Sequence, residues 1–190
     1  MDSSKESPKE SPREAPKVSF DSFDLQEPLR DAIRKIGFEF CTPIQAQSLV
    51  HTLKGHDVTG KAQTGTGKTA AFLITIINDL LSNPIEEERY LAEPRALIVA
   101  PTRELAIQIA SDASLLTDGT GLHTVTLVGG EDYQKQNRAL DRKPVDIVVA
   151  TPGRLLDFAS NDNLHLGLIE ILVLDEADRM LDMGFKKDIE

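Results

Sequence analysis

The sequence predicts an α/β fold: an open parallel sheet with helices on both faces. Three observations carry that prediction. Leu97-Ile98-Val99, Ile147-Val148-Val149 and Ile171-Leu172-Val173-Leu174 are continuous apolar runs, as strands covered on both faces read. Stretches with helical spacing separate them. Ala62-Gln63-Thr64-Gly65-Thr66-Gly67-Lys68-Thr69 is a glycine-rich loop opening a helix, the device that holds phosphate at the edge of such a sheet.

Residues 1–17 repeat Lys-Glu-Ser-Pro and close variants. Alternating charge, recurring proline and no apolar residue to bury predict a disordered tail. Leu25, Leu29, Ile33 and Ile36 then fall at helical spacing, with Gly37 as a stop. A second helix is expected from Pro43 to about Leu53. Strands are expected at Asp57–Gly60, Ala96–Ala100, Thr124–Val128, Asp146–Ala150 and Ile171–Leu174. Helices are expected between them at about 67–82, 103–117, 131–141 and 153–160. Asn83–Pro94, with Glu86-Glu87-Glu88, reads as an acidic surface loop.

Of 190 residues, 40% are hydrophobic and 27% charged, a soluble globular composition. No apolar run approaches the ~18 residues that span a bilayer, and the charged, Pro-rich start carries no secretory leader. Cys41 stands alone, so no internal disulfide is expected and the cytoplasm suits the chain. The four histidines are scattered, and zinc is not expected. Net charge is −10. A nucleic-acid ligand would therefore have to be held by a few local donors, because bulk attraction runs the wrong way.

The loop Ala62–Thr69 turns backbone N–H groups inward around phosphate oxygens. Lys68 can reach the outer phosphates, and the Thr69 hydroxyl is placed for Mg²⁺. Ala62 stands where the usual phosphate-loop pattern has glycine. A second half is needed, a carboxylate at the end of another buried strand, and Ile171–Leu174 delivers Asp175-Glu176 there. Asp175 is the expected Mg²⁺ partner, through water. Glu176 can orient and deprotonate a water for in-line attack on a γ-phosphate.

Asp175-Glu176-Ala177-Asp178 is the tetrapeptide that names the DEAD-box helicases, and the chain resembles that family over residues 18–190. Gly37-Phe38 followed by Cys41-Thr42-Pro43-Ile44-Gln45, with Phe20 upstream, resembles the family's adenine-reading Q motif. Pro101-Thr102-Arg103-Glu104-Leu105, Gly129-Gly130 and Thr151-Pro152-Gly153-Arg154 resemble its RNA-contacting motifs.

The resemblance implies the N-terminal RecA-like lobe of an ATP-dependent RNA helicase, using ATP and Mg²⁺. Lys68, Asp175 and Glu176 are then catalytic. Phe38, a carbonyl near Phe40, Gln45 and the loop Gln63, Thr64, Gly65, Thr66, Gly67, Lys68 and Thr69 bind ATP. Thr69 and Asp175 hold the metal. Pro101, Thr102, Arg103, Gly129, Gly130, Thr151, Pro152, Gly153 and Arg154 grip the RNA backbone without reading sequence, and Asp178 couples the lobes. Phe20 buttresses the base pocket. The alternatives are a nucleotide-binding docking module for a ribonuclease or other RNA-decay component, and a generic P-loop NTPase.

The family continues with a Ser-Ala-Thr motif and a second lobe carrying an arginine finger. Its sheet has a strand between the phosphate-loop strand and the Asp-Glu strand. A truncated copy of a longer protein, with a gap in its sheet, is therefore expected here. Arginine fingers contribute ~10³–10⁵ in rate, so turnover by this chain alone should be negligible.

Overall fold

Each of the three continuous apolar runs forms a strand, and so does the more polar Thr124–Leu127. The structure is a computed structural model and describes residues 17–63, 65–85 and 88–185. Within these, β1 (Ala96–Val99), β2 (Thr124–Leu127), β3 (Ile147–Ala150) and β4 (Ile171–Leu174) pair in the order β2-β3-β1-β4. Every pairing is parallel.

The helices are α1 (Glu27–Ile36), α2 (Pro43–Thr52), α3 (Lys68–Ser82), α4 (Arg103–Leu116), α5 (Tyr133–Leu140), α6 (Pro152–Ser160) and α7 (Ala177–Asp182). Their ends follow from local chemistry. Gly37 adopts a left-handed conformation (φ 87°) and closes α1 by donating to the carbonyls of Ile33 and Arg34. Thr42 and Gln45 form a reciprocal capping box at the start of α2, with Pro43 in its first turn. Thr102 accepts from Leu105 N–H at α4, and Asp132 from Lys135 N–H at α5.

The central strands β1 and β3 are buried on both faces, whereas β4, expected from its apolar run to be covered likewise, exposes one face. Alternate residues of β1 and β3 (Ala96, Ile98, Ile147, Val149) pack under α1 to α4 with Leu29, Leu49, Leu73, Ile76 and Ile109. Their neighbours Leu97, Val99, Val148 and Ala150 face Leu140, Phe158 and Met180 from α5 to α7. At the amino ends of the strands, Arg95 holds Glu170 through bonds of 2.6 and 2.8 Å, and Arg89 pairs with Asp146.

One strand expectation fails. Asp57–Gly60 is irregular, joins no strand of the sheet and is exposed. The reason is geometric: between this segment and β4 lies a cavity of ≈450 Å³ lined by Ile44, Val58, Phe72, Ile76, Ile171 and Val173. A strand there has no neighbour within hydrogen-bonding reach. β4 is accordingly a sheet edge, with Leu172 and Leu174 exposed. The expected gap therefore separates β4 from the phosphate-loop segment. The expected tail lies, Lys17 apart, outside the described residues, as do Glu86 and Glu87 of the acidic loop.

Candidate functional site

Loops at the carboxyl ends of the strands converge with the phosphate-loop segment. A cavity of ≈400 Å³ there is lined by Phe38, Gln45, Gly65, Gly67, Lys68, Thr69, Asp175 and Glu176. Residues 138 positions apart, Phe38 and Glu176, thus share one site. Phe40, Gln63 and Thr66 are not among its lining residues, and Thr64 lies outside the described residues.

Gly67 precedes α3 with φ 91°, a conformation that favours glycine. A Cβ there would also meet Gln45 Nε2 at 2.4 Å and Thr42 Oγ1 at 3.0 Å. These contacts reveal a latch. Gln45 Nε2 donates to the Gly67 carbonyl at 3.1 Å, and Thr42 Oγ1 donates to the Thr66 carbonyl at 2.7 Å. Gln45 Oε1 accepts from Thr42 N–H at 2.9 Å. Both polar ends of this buried amide, assigned on sequence to adenine, are thus engaged: Oε1 in the cap of α2 and Nε2 in pinning the phosphate loop to that helix. Within the loop, Lys68 Nζ donates to the Ala62 carbonyl at 2.6 Å.

Phe38 is half-exposed and stacks on buried Phe20, with ring centroids 6.0 Å apart and 20° between planes. Phe20 buttresses Phe38, as expected. Phe40 is more exposed, with Lys17 Nζ 5.8 Å from its ring centroid.

Across the cavity, Asp175 is anchored by its N–H donating to the Val99 carbonyl at 2.9 Å. Burial pushes its carboxyl above the ordinary range, against the opposing pull of the Lys68 ammonium and of the Glu176 N–H it accepts at 3.0 Å. Lys68 and Asp175 therefore sense one another electrostatically. Glu176 takes a left-handed backbone (φ 50°, ψ 48°), strained for a side chain with a Cβ. Its carboxylate is held by Arg179 at 3.1 Å. Asp178 is exposed in the first turn of α7.

The other motifs lie along the same sheet edge, after β1, β2 and β3. Thr102 caps α4 with its hydroxyl, while Thr151 and Pro152 begin α6. Gly129 and Gly130 are exposed, and Gly130 is left-handed (φ 74°). Arg103 is ion-paired with Glu131. Arg154 donates to the Glu131 carbonyl at 3.2 and 3.3 Å and lies 5.5 Å from the Tyr133 ring centroid.

Sequence reasoning missed three participants: Thr42 as a loop tether, Glu131 between the arginines, and Arg179 on Glu176. Thr42-Pro43-Ile44-Gln45 carries the capping-box signature, so its cap was readable. The other two contacts carry no local signal.

A parallel sheet with a glycine loop and an Asp-Glu pair meeting at its carboxyl edge defines a RecA-like nucleotide-binding class. The chain belongs to the DEAD/DEAH box helicase family, whose profile matches residues 42–190. It is 59% identical over 169 residues to the ATP-dependent RNA helicase RhlB of Pseudomonas putida, covering 89% of this chain and 42% of that protein. To the RhlB of Shewanella pealeana it is 54% identical over 170 residues, covering 90% and 39%. Among solved structures, a DEAD box protein from Methanococcus jannaschii superposes with a TM-score of 0.79 at 38% identity, covering 90% of this chain and 45% of that one. A hypothetical ATP-dependent RNA helicase from Sulfolobus tokodaii gives 0.76 at 38% identity, covering 87% and 45%. The chain spans about two fifths of the length of these curated relatives. No helix of the described residues is long and apolar enough to cross a membrane.

Proposed function

We propose that residues 18–190 form the ATP-binding lobe of a cytoplasmic ATP-dependent RNA helicase, in which hydrolysis is coupled to local unwinding of RNA duplexes. The single observation that carries this is the cavity joining Lys68 and Thr69 to Asp175 and Glu176, which Phe38 and Gln45 also line. Its donor set suits Mg²⁺-ATP. Thr69 would hold a hard cation through its hydroxyl, and Asp175 would hold it through water. When bound, the metal neutralises phosphate charge. Lys68 leaves the Ala62 carbonyl for the outer phosphates, Phe38 stacks on the base, and Glu176 orients and deprotonates the attacking water.

Gln45 reads adenine only by giving up its bond to Gly67. Nucleotide selectivity and loop opening are then one event. Displacement of a fluorescent ATP analogue tests this: ATP should compete at least about tenfold better than GTP, and Q45A should abolish the difference. Equal competition by ATP and GTP in the parent chain would sink the adenine assignment.

A further inference from the structure

Glu131 was assigned no role on sequence, yet it joins the two arginines expected to grip RNA. Its carboxylate pairs with the Arg103 guanidinium, and its main-chain carbonyl accepts twice from Arg154. These residues follow three different strands, β1, β2 and β3. Gly130 leaves room for this contact: it is left-handed, and a Cβ at that position would lie 2.9 Å from Arg103 Nη1. The contact is a specific fit at the sheet edge, made in a chain whose net charge is −10.

A guanidinium fork takes two oxygens of a carboxylate or two of a phosphodiester in the same way. We propose that Glu131 is an internal stand-in for an RNA phosphate: its carboxylate occupies Arg103, and an incoming strand must displace it. The proposal rests on the RNA-backbone reading of Arg103. It adds a specificity device to that reading. Only a strand that can engage the neighbouring helix N-termini at α4 and α6 as well compensates for the pair it breaks, so stray polyanions are held weakly.

Displacement leaves a carboxylate beside the phosphate, which recruits a cation and cancels part of the counterion release. Removing that charge has two consequences. E131Q keeps the shape and hydrogen-bonding reach of the side chain but no longer competes, so it should bind single-stranded RNA about two- to fivefold tighter at low salt, the range of a half-exposed ion pair. Its log K against log salt should also be steeper by about 0.7, one further phosphate contact on a single strand.

The test is fluorescence anisotropy with a labelled oligouridylate of about ten nucleotides, over a salt series, on the parent chain, E131Q, R103A and the double variant. The expected result is tighter, more salt-dependent binding by E131Q in the parent background and no such gain in the R103A background. An equal gain in both backgrounds would mean that bulk charge alone is at work, and the proposal falls. If R103A weakens binding while E131Q leaves it unchanged, the proposal falls and the RNA reading stands. No binding by either parent or E131Q at low salt overturns both.

Discussion

The contact between Gln45 and the phosphate loop can be measured by comparing two glycines of that loop. Gly65 and Gly67 are both left-handed, with φ of 81° and 91°. Alanine at either position bears the backbone cost of that conformation, about 1–2 kcal/mol. At Gly65 nothing lies within 4 Å of the added Cβ, so that cost is the whole effect. At Gly67 the Cβ would sit 2.4 Å from Gln45 Nε2 and 3.0 Å from its Cδ. Gln45 is buried, so its amide cannot swing into water without giving up its bonds to the Gly67 carbonyl and Thr42 N–H. Each is worth about 0.5–1.5 kcal/mol net, so G67A should cost about 1–3 kcal/mol more than G65A in urea unfolding. In a Q45A background only the 3.0 Å approach to Thr42 Oγ1 remains, so most of the excess should disappear. Equal costs in the parent background, or an excess that survives intact in Q45A, would refute the latch.

Two further predictions follow from buried titratable groups. Burial raises the Cys41 thiol from 9.0 to about 11, so near pH 8 the folded chain should present about a hundredfold less thiolate than the unfolded one. Iodoacetamide labelling should accelerate sharply in denaturant, and equal rates would count against it. His123 is held below its ordinary 6.5 by burial first and by Lys143 second, and its Nε2 is buried with no partner among the described residues. The unfolded chain therefore binds this proton more readily. The stability concerned is present above pH 6.5 and is lost as pH falls through the folded-state value. H123N should melt with a flatter pH dependence below that point, whereas curves parallel to the parent's would exclude the histidine as the cause.

The fold was legible where burial and local chemistry agree. Ile147–Ala150 and Ala96–Val99 are buried along their whole length, as their unbroken apolar runs predict, while the equally apolar Ile171–Leu174 lies at the sheet edge with Leu172 and Leu174 exposed. Helix starts were readable at Thr102 and Pro152, because capping needs only the residues at hand. Asp57–Gly60 was not legible in the same sense. Its residues permit an extended chain, but a strand is a pairing and requires a partner in register. The cavity beside β4 removes that partner. Propensity describes one side of a ladder, and sheet order decides whether the other side exists.

The site divides along the same line. Sequence nominated the groups proposed to bind phosphate, base or strand, because that nomination needs only the side chain and the loop that carries it. It did not identify their internal partners, which come from residues distant in the chain. Lys68 on Ala62 is local, but Gln45 on Gly67 and Arg103 on Glu131 depend on the fold. This has an energetic consequence. A ligand's contribution at each position is the difference between its own contact and the one it displaces, so an ATP or RNA affinity summed from the site residues alone would be too large. Substitutions on the internal partners, Thr42 and Glu131, should then change binding without removing any ligand contact. That separates a residue that holds the site in one arrangement from a residue that holds the ligand.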